Sequence, residues 1–181
     1  MIPNEMAYWW EYRDFDRDAD VVSRRLASYA EVLRGISGRF DGLSDHLSKI
    51  TANGRLSKRL EKDMFSTSLS YVSGEHSGVL RYSSSVRYGE GLPDLAGQVA
   101  ISVDASLLDD EETLDSIFWK SIDFWAAGEA GLYTVRSEWM FRWRWQRKNS
   151  LGVLLPNIRL APHWESGTEI YGGTLYTYPT L

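Results

Sequence analysis

R-S-E-W-M-F-R-W-R-W-Q-R-K, running from Arg136 to Lys148, places Trp139, Phe141, Trp143 and Trp145 on odd positions, with Arg142 and Arg144 between them. Successive side chains of a β-strand point to opposite faces, so this spacing predicts a strand with one aromatic face and one basic face. A helix would scatter the four rings around more than half its circumference. Each ring can bury about 150–250 Å² of surface, so the stretch is expected to anchor the core and stand at the centre of the fold.

Working outward, Phe124 to Val135 reads as the end of a helix followed by a strand. The helix is predicted over Leu107 to Ala127. Leu114, Ile117, Phe118, Ile122 and Trp125 form its apolar face, and Gly128 and Gly131 are expected to end it. Asp109, Asp110, Glu111 and Glu112 fall in its expected first turn, where the positive end of the helix dipole favours acids. Residues 101–131 carry Asp104, Asp109, Asp110, Glu111, Glu112, Asp115, Asp123 and Glu129 against Lys120 alone. Residues 136–148 carry Arg136, Arg142, Arg144, Arg147 and Lys148 against Glu138. Two such segments either pair with each other or leave the molecule polarised and able to steer a charged partner.

Towards the N-terminus, Glu5 to Tyr12 is rich in strand formers. Val22, Leu26, Tyr29, Ala30 and Leu33 recur at helical steps and predict a helix over Val21 to Ile36, capped by Asp18 or Asp20. Between 39 and 63 the pattern gives a short helix, a turn at Asn53–Gly54 and a polar helix over Ser57 to Asp63. Residues 64–105 read as β-rich, with strands around Val79 to Tyr88 and Gln98 to Val103. Leu151 to Leu155 reads as a short strand, and the tail through Leu175, Tyr176 and Tyr178 as the last one. No repeat or linker interrupts the chain. The expected fold class is α+β: a single domain over residues 1–181, with a mostly antiparallel twisted sheet packed by two main helices plus short ones.

Composition narrows the function. The chain has 181 residues, 43% hydrophobic and 25% charged, with a net charge of −5 and a pI near 5.2. That balance disfavours a generic nucleic-acid binder. There is no cysteine. With no signal-like N-terminus, and no apolar run near the roughly 18 residues that span a bilayer, a cytoplasmic location without membrane contact is expected. Aromatics make up 13%, including eight Trp and ten Tyr. Rings beyond those the core needs would suit a protein-binding face.

Catalytic signatures are sparse. His46, His76 and His163 lie in different predicted elements, and no pair has metal-ligand spacing on a helix. No P-loop, G-x-S-x-G or dinucleotide fingerprint occurs. Glu75–His76, flanked by Ser73–Gly74 and Ser77–Gly78, is better read as a hairpin connection than as a nucleophile loop. No enzyme, metal or cofactor is therefore expected. Two alternatives stay open: a small enzyme with a cryptic His/carboxylate site at Glu75 and His76, and a single-stranded nucleic-acid binder using the Trp/Arg strand.

Ala7 to Arg13, A-Y-W-W-E-Y-R, followed by Val21 to Leu33, V-V-S-R-R-L-A-S-Y-A-E-V-L, resembles the opening of the immunity protein 52 family. Phe124 to Val135 is similar to that family's helix-to-strand passage, and Gly172 to Tyr178, G-G-T-L-Y-T-Y, to its closing strand. The chain departs from the family where a Gly-Trp-x-x-Tyr-Leu segment would stand, carrying Trp143 to Trp145 and Leu151 to Leu155 instead. The resemblance implies a bacterial immunity protein that binds a cognate toxin and covers its active site. Such a toxin is commonly a nuclease effector of a contact-dependent system such as type VI secretion. The expected partner contacts are Asp109, Asp110, Glu111, Glu112, Asp115, Trp164 and Glu165, with no direct nucleic-acid contact. The sequence leaves a homodimer open.

Overall fold

A computed structural model of the chain describes residues 5–11, 16–62, 65–74, 76–87, 94–103, 107, 110–135, 139–147 and 167–177. The helical spacing of Val22, Leu26, Tyr29, Ala30 and Leu33 produces α1 (Ala19–Ile36), whose buried stripe is those five residues. Asp18 is its N-cap and accepts from the N–H groups of Asp20 and Val21 at 2.9 and 3.0 Å, which satisfies two donors that the helix start leaves open. A 3-10 turn at Gly38–Phe40 leads into α2 (Leu43–Ala52), which buries Leu43, Leu47 and Ile50. Gly54, at φ 66, turns the chain into α3 (Arg55–Leu60), slightly earlier than its polar pattern predicts.

The strands are β1 (Glu5–Glu11), β2 (Ser66–Ser73), β3 (His76–Arg87), β4 (Asp94–Val103), β5 (Glu129–Val135), β6 (Trp139–Arg147), β7 (Thr168–Ile170) and β8 (Gly173–Thr177). They form one sheet in the order β2-β3-β4-β1-β5-β6-β8-β7, and every pairing is antiparallel. The class is α+β, as the sequence predicts. The register brings Leu69 opposite Leu80, Leu80 opposite Ile101, and Tyr82 opposite Val99. These residues, with Ala130, Leu132 and Trp145, join the apolar stripes of the helices in one buried core. The Ser73–His76 end of the β2–β3 ladder confirms the hairpin, with Gly74 at φ 62.

The edge strand β2 carries no charged residue to discourage pairing with another chain. Its outward-facing Ser70 N–H donates instead to His46 Nδ1 on α2 (2.9 Å), and Gly42 brings its backbone against Val72. His46 thus serves an edge-closing role.

Three sequence expectations are corrected. Strict alternation along β6 fails: Leu132 pairs with Trp143, but Tyr133 pairs with Phe141, so a bulge places one extra residue, Arg142, in β6. Trp139 and Phe141 therefore stand at register positions of opposite parity to Trp143 and Trp145. The acidic helix α4 spans Glu111–Trp125, not Leu107 to Ala127. It ends where Ala126 adopts φ 49, with the N–H of Ala127 donating to Ile122 O (3.0 Å). Gly128 and Gly131 lie beyond its end, and Gly131 is within β5. The tail holds a hairpin where one strand was expected. Tyr171 and Gly172, both at positive φ, close β7 onto β8. Leu151 to Leu155 and Tyr178 lie outside the described residues.

Helices α1 and α4 meet through a buried hydroxyl pair, Tyr29 Oη and Ser121 Oγ, 2.7 Å apart. Burial raises the Tyr29 pKa well above the ordinary phenol value of 10.0, while Ser121 and the neighbouring Trp125 indole pull it back in part. The unfolded chain releases this proton more readily than the folded one. The linked stability is therefore intact below about pH 10 and is lost as pH rises beyond it. Tyr29→Phe is expected to flatten that alkaline loss by up to about 1.4 kcal/mol per pH unit. Near neutral pH the same variant costs about 1–3 kcal/mol by stranding the Ser121 hydroxyl. Urea unfolding of both chains at neutral pH and above pH 10 checks the sign, and parallel curves for the two would contradict it.

Candidate partner-binding face

The D-D-E-E run is divided by the fold. Asp110 is the N-cap of α4, its Oδ1 accepting from the Thr113 N–H at 3.1 Å, and its own N–H donates to Leu107 O. Hydrogen bonds from Thr113 hold the Asp110 carboxyl below the usual carboxylate range. Partial desolvation opposes this, and the charge of Arg39 adds to it. Asp110 is therefore engaged in building the helix. Glu111 and Glu112 occupy the first turn and are exposed, as is Asp115 one turn further on. Asp109, Trp164 and Glu165 lie outside the described residues, so of the expected contacts the structure brings together Asp110, Glu111, Glu112 and Asp115.

Glu112, Asp115 and Trp119 follow at three- and four-residue steps and share one side of α4. Trp119 Nε1 donates to Asp115 Oδ1 (2.9 Å), which fixes the indole beneath the acidic stripe. Its ring meets Phe118 and Trp145 edge-on, at 5.1 and 6.4 Å between centroids. Trp145 Nε1 in turn donates to Ile170 O (3.1 Å), tying the β7–β8 hairpin to the core. The hairpin tip then lays Tyr171 on Trp119, 4.6 Å between centroids with the planes 27° apart. Tyr171 stays 57% exposed and, with Val72, is one of the large exposed hydrophobics among the described residues.

Tyr171 escaped the sequence reading because its signal is indirect. A two-residue turn with both φ values positive normally reads Asn-Gly or Gly-Gly; here the first position holds a bulky aromatic at φ 53, a backbone conformation that costs an L-residue roughly 1–2 kcal/mol. Y-G-G ahead of a T-L-Y strand is the local clue to the turn, and the strand-forming residues on either side of it obscure it.

Other candidate groups are placed separately. His46 sits against β2 and His76 opens β3 opposite Ser73, while Glu75 and His163 lie outside the described residues. Among the described residues no group of three or more His, Asp or Glu is placed to hold a metal ion. A shallow cleft of about 370 Å³ between the α1 start and the α2–α3 turn is lined by Asp18, Asp20, Thr51 and Ser57, but the Asp18 carboxylate already caps α1. The opposite-sign segments adjoin along the β5–β6 ladder, where Glu129 pairs with Gln146 and Gly131 with Arg144, and past the end of α4. Arg147 donates from Nε to Ala127 O (3.0 Å), just past the C-terminal end of α4, and lies away from the acidic start. Among the described residues no helix is long and apolar enough to cross a membrane.

These features define an α+β protein with one antiparallel sheet, an acidic helix start and an aromatic tip beside it. No family model, curated protein or solved structure matches the chain.

Proposed function

We propose that the chain is an immunity protein that binds a cognate bacterial toxin and covers its active site, acting without catalysis of its own. The observation that carries this reading is the exposed acidic side of α4, Glu111, Glu112 and Asp115, standing next to an exposed ring. The likeness of Ala7 to Arg13 and Val21 to Leu33 to the immunity protein 52 family points the same way. A nuclease effector of a type VI or similar secretion system would present a basic substrate groove, and acids at its rim would speed association more than they deepen affinity. Such binding takes place in the cytoplasm of the producing cell.

The test mixes the purified chain with the toxin encoded beside its gene. A stoichiometric complex and loss of toxin activity are expected. Exchanging Glu111, Glu112 and Asp115 for Lys together should slow association about tenfold or more at low salt, with a smaller difference at high salt. No complex and no protection by the unmodified chain would sink the proposal.

A further inference from the structure

We infer that the stacked Tyr171–Trp119 pair is the anchor of a docking surface for an arginine-bearing segment of a protein partner. This rests on the partner-binding reading above and adds to it a place and a chemistry.

Tyr171 is an unexpected residue at the tip of the β7–β8 hairpin. Its backbone, at φ 53, suits Gly or Asn far better than an aromatic. Its ring is not core, since more than half of the residue is exposed. The hairpin has supports besides that ring: Trp145 Nε1 holds it through the Ile170 carbonyl, and the strands pair through Thr168–Leu175 and Ile170–Gly173. The backbone strain of a ring at this exposed tip offsets what its stack on Trp119 returns to folding. Strained conformations of this kind gather at ligand-contacting positions.

One face of the Tyr171 ring lies on Trp119, and Trp119 is held in place by Asp115. The platform is therefore rigid before any partner arrives, which lowers the ordering cost of binding. Glu112 and Asp115 stand on the same side of α4 as Trp119, so the approach to the ring is acidic. A flat cation that stacks on an aromatic while donating to carboxylates is a guanidinium. An ammonium offers charge without a stacking plane, and a neutral apolar segment would leave the carboxylates uncompensated. Charge complementarity and ring geometry together select arginine.

Two experiments decide it. In the first, the full chain is titrated with a short oligo-arginine peptide and with oligo-lysine of equal length, following the Trp119 indole N–H by NMR. Arginine is expected to bind about tenfold more tightly than lysine. Tyr171→Asn should abolish that preference while leaving the melting temperature in place, because Asn accepts the backbone conformation. Tyr171→Phe should restore it, since the ring and not the hydroxyl is the platform. Equal binding of both peptides, a preference that survives Tyr171→Asn, or unfolding of that variant would each overturn the inference.

The second experiment measures the same variants against the toxin encoded beside the gene. A complex weakened about tenfold by Tyr171→Asn and restored by Tyr171→Phe supports both readings. A complex indifferent to Tyr171 leaves the function standing and removes the anchor. No complex with the unmodified chain removes the toxin reading, and the peptide titration then decides the anchor alone.

Discussion

Gly78→Ala is expected to destabilise the fold by about 3 kcal/mol or more, a large share of a domain's usual 5–15 kcal/mol. Gly78 lies on β3 directly opposite Tyr71 of β2. The Tyr71 side chain crosses it to donate its hydroxyl to Ser102 O on β4 at 2.9 Å, so one tyrosine ties three strands together. Ser102 completes the corner with its side chain: its Oγ accepts from the Val79 N–H (2.9 Å) and lies 3.3 Å from Val79 O. A methyl group at residue 78 would stand 2.2 Å from Ser102 O, 2.4 Å from the Tyr71 hydroxyl oxygen and 2.6 Å from the ring carbon that bears it. The nearest of these is backbone and the others belong to a ring buried against Phe40, 5.2 Å between centroids, so nothing nearby can swing aside. The methyl displaces either the β4 carbonyl or the tyrosine, and the second route also breaks a buried hydrogen bond worth about 1 kcal/mol.

A urea titration reads this as a fall in midpoint of about 1.5 M for a slope near 2 kcal/mol/M. Adding Tyr71→Phe should not rescue the variant, because the closest obstacle is the Ser102 carbonyl. Gly35→Ala is the matched control. That glycine lies in α1 with nothing within 4 Å of its would-be methyl, and the change should be neutral or stabilise by up to about 1 kcal/mol. Equal midpoints for Gly78→Ala and the unmodified chain would refute the account of this corner.

The two glycines show what the sequence conveys and what it does not. Periodicity locates α1, its cap Asp18 and its buried stripe, because each depends on residues within a turn or two of one another. The same holds for the apolar face of α4 and the β2–β3 hairpin. Strand order does not follow from local pattern: β1 lies between β4 and β5, and β6 pairs with β8, through contacts that no short stretch encodes. The β6 bulge is of this kind too. R-W-R-W alternates perfectly as text, yet the register against β5 inserts Arg142 and shifts the parity of Trp139 and Phe141.

The candidate face divides in the same manner. Its acids are visible as a charge run, but Asp110 is withdrawn from it by capping, a role set by where the helix starts. That start lies four residues beyond the predicted one, since Leu107 belongs to a short turn and Asp110 offers the better cap. Tyr171 belongs to the face only because β7 and β8 carry it to α4, across a sequence gap that periodicity cannot bridge.

Trp125→Ala should cost about 3–5 kcal/mol, whereas Trp125→Phe should cost far less, with a gap of at least roughly 2 kcal/mol between them. Trp125 is the last residue of α4 and is 1% exposed. Its ring meets Tyr29 and Phe124 nearly edge-on, at 5.1 and 5.0 Å between centroids, and stacks with Tyr82 of β3 at 6.0 Å. The Arg25 guanidinium lies 4.6 Å from its centroid. Removing the ring opens a cavity where α1, α4 and β3 meet, with close-packed aromatics on several sides that cannot collapse into it.

Phenylalanine alters the balance through a different atom. The Trp125 Nε1–H is buried and, among the described residues, reaches no acceptor at hydrogen-bonding geometry; it lies close enough to the Tyr29 hydroxyl to favour its ionised form, but that oxygen is engaged with Ser121 at 2.7 Å. An unpaired buried donor costs about 1–3 kcal/mol, and phenylalanine removes that cost along with part of the packing volume. The two changes oppose each other, so Trp125→Phe should land within about 1.5 kcal/mol of the unmodified chain. Urea midpoints of the three proteins decide the matter. If Trp125→Phe proved as damaging as Trp125→Ala, the indole N–H would have to be contributing a hydrogen bond of its own.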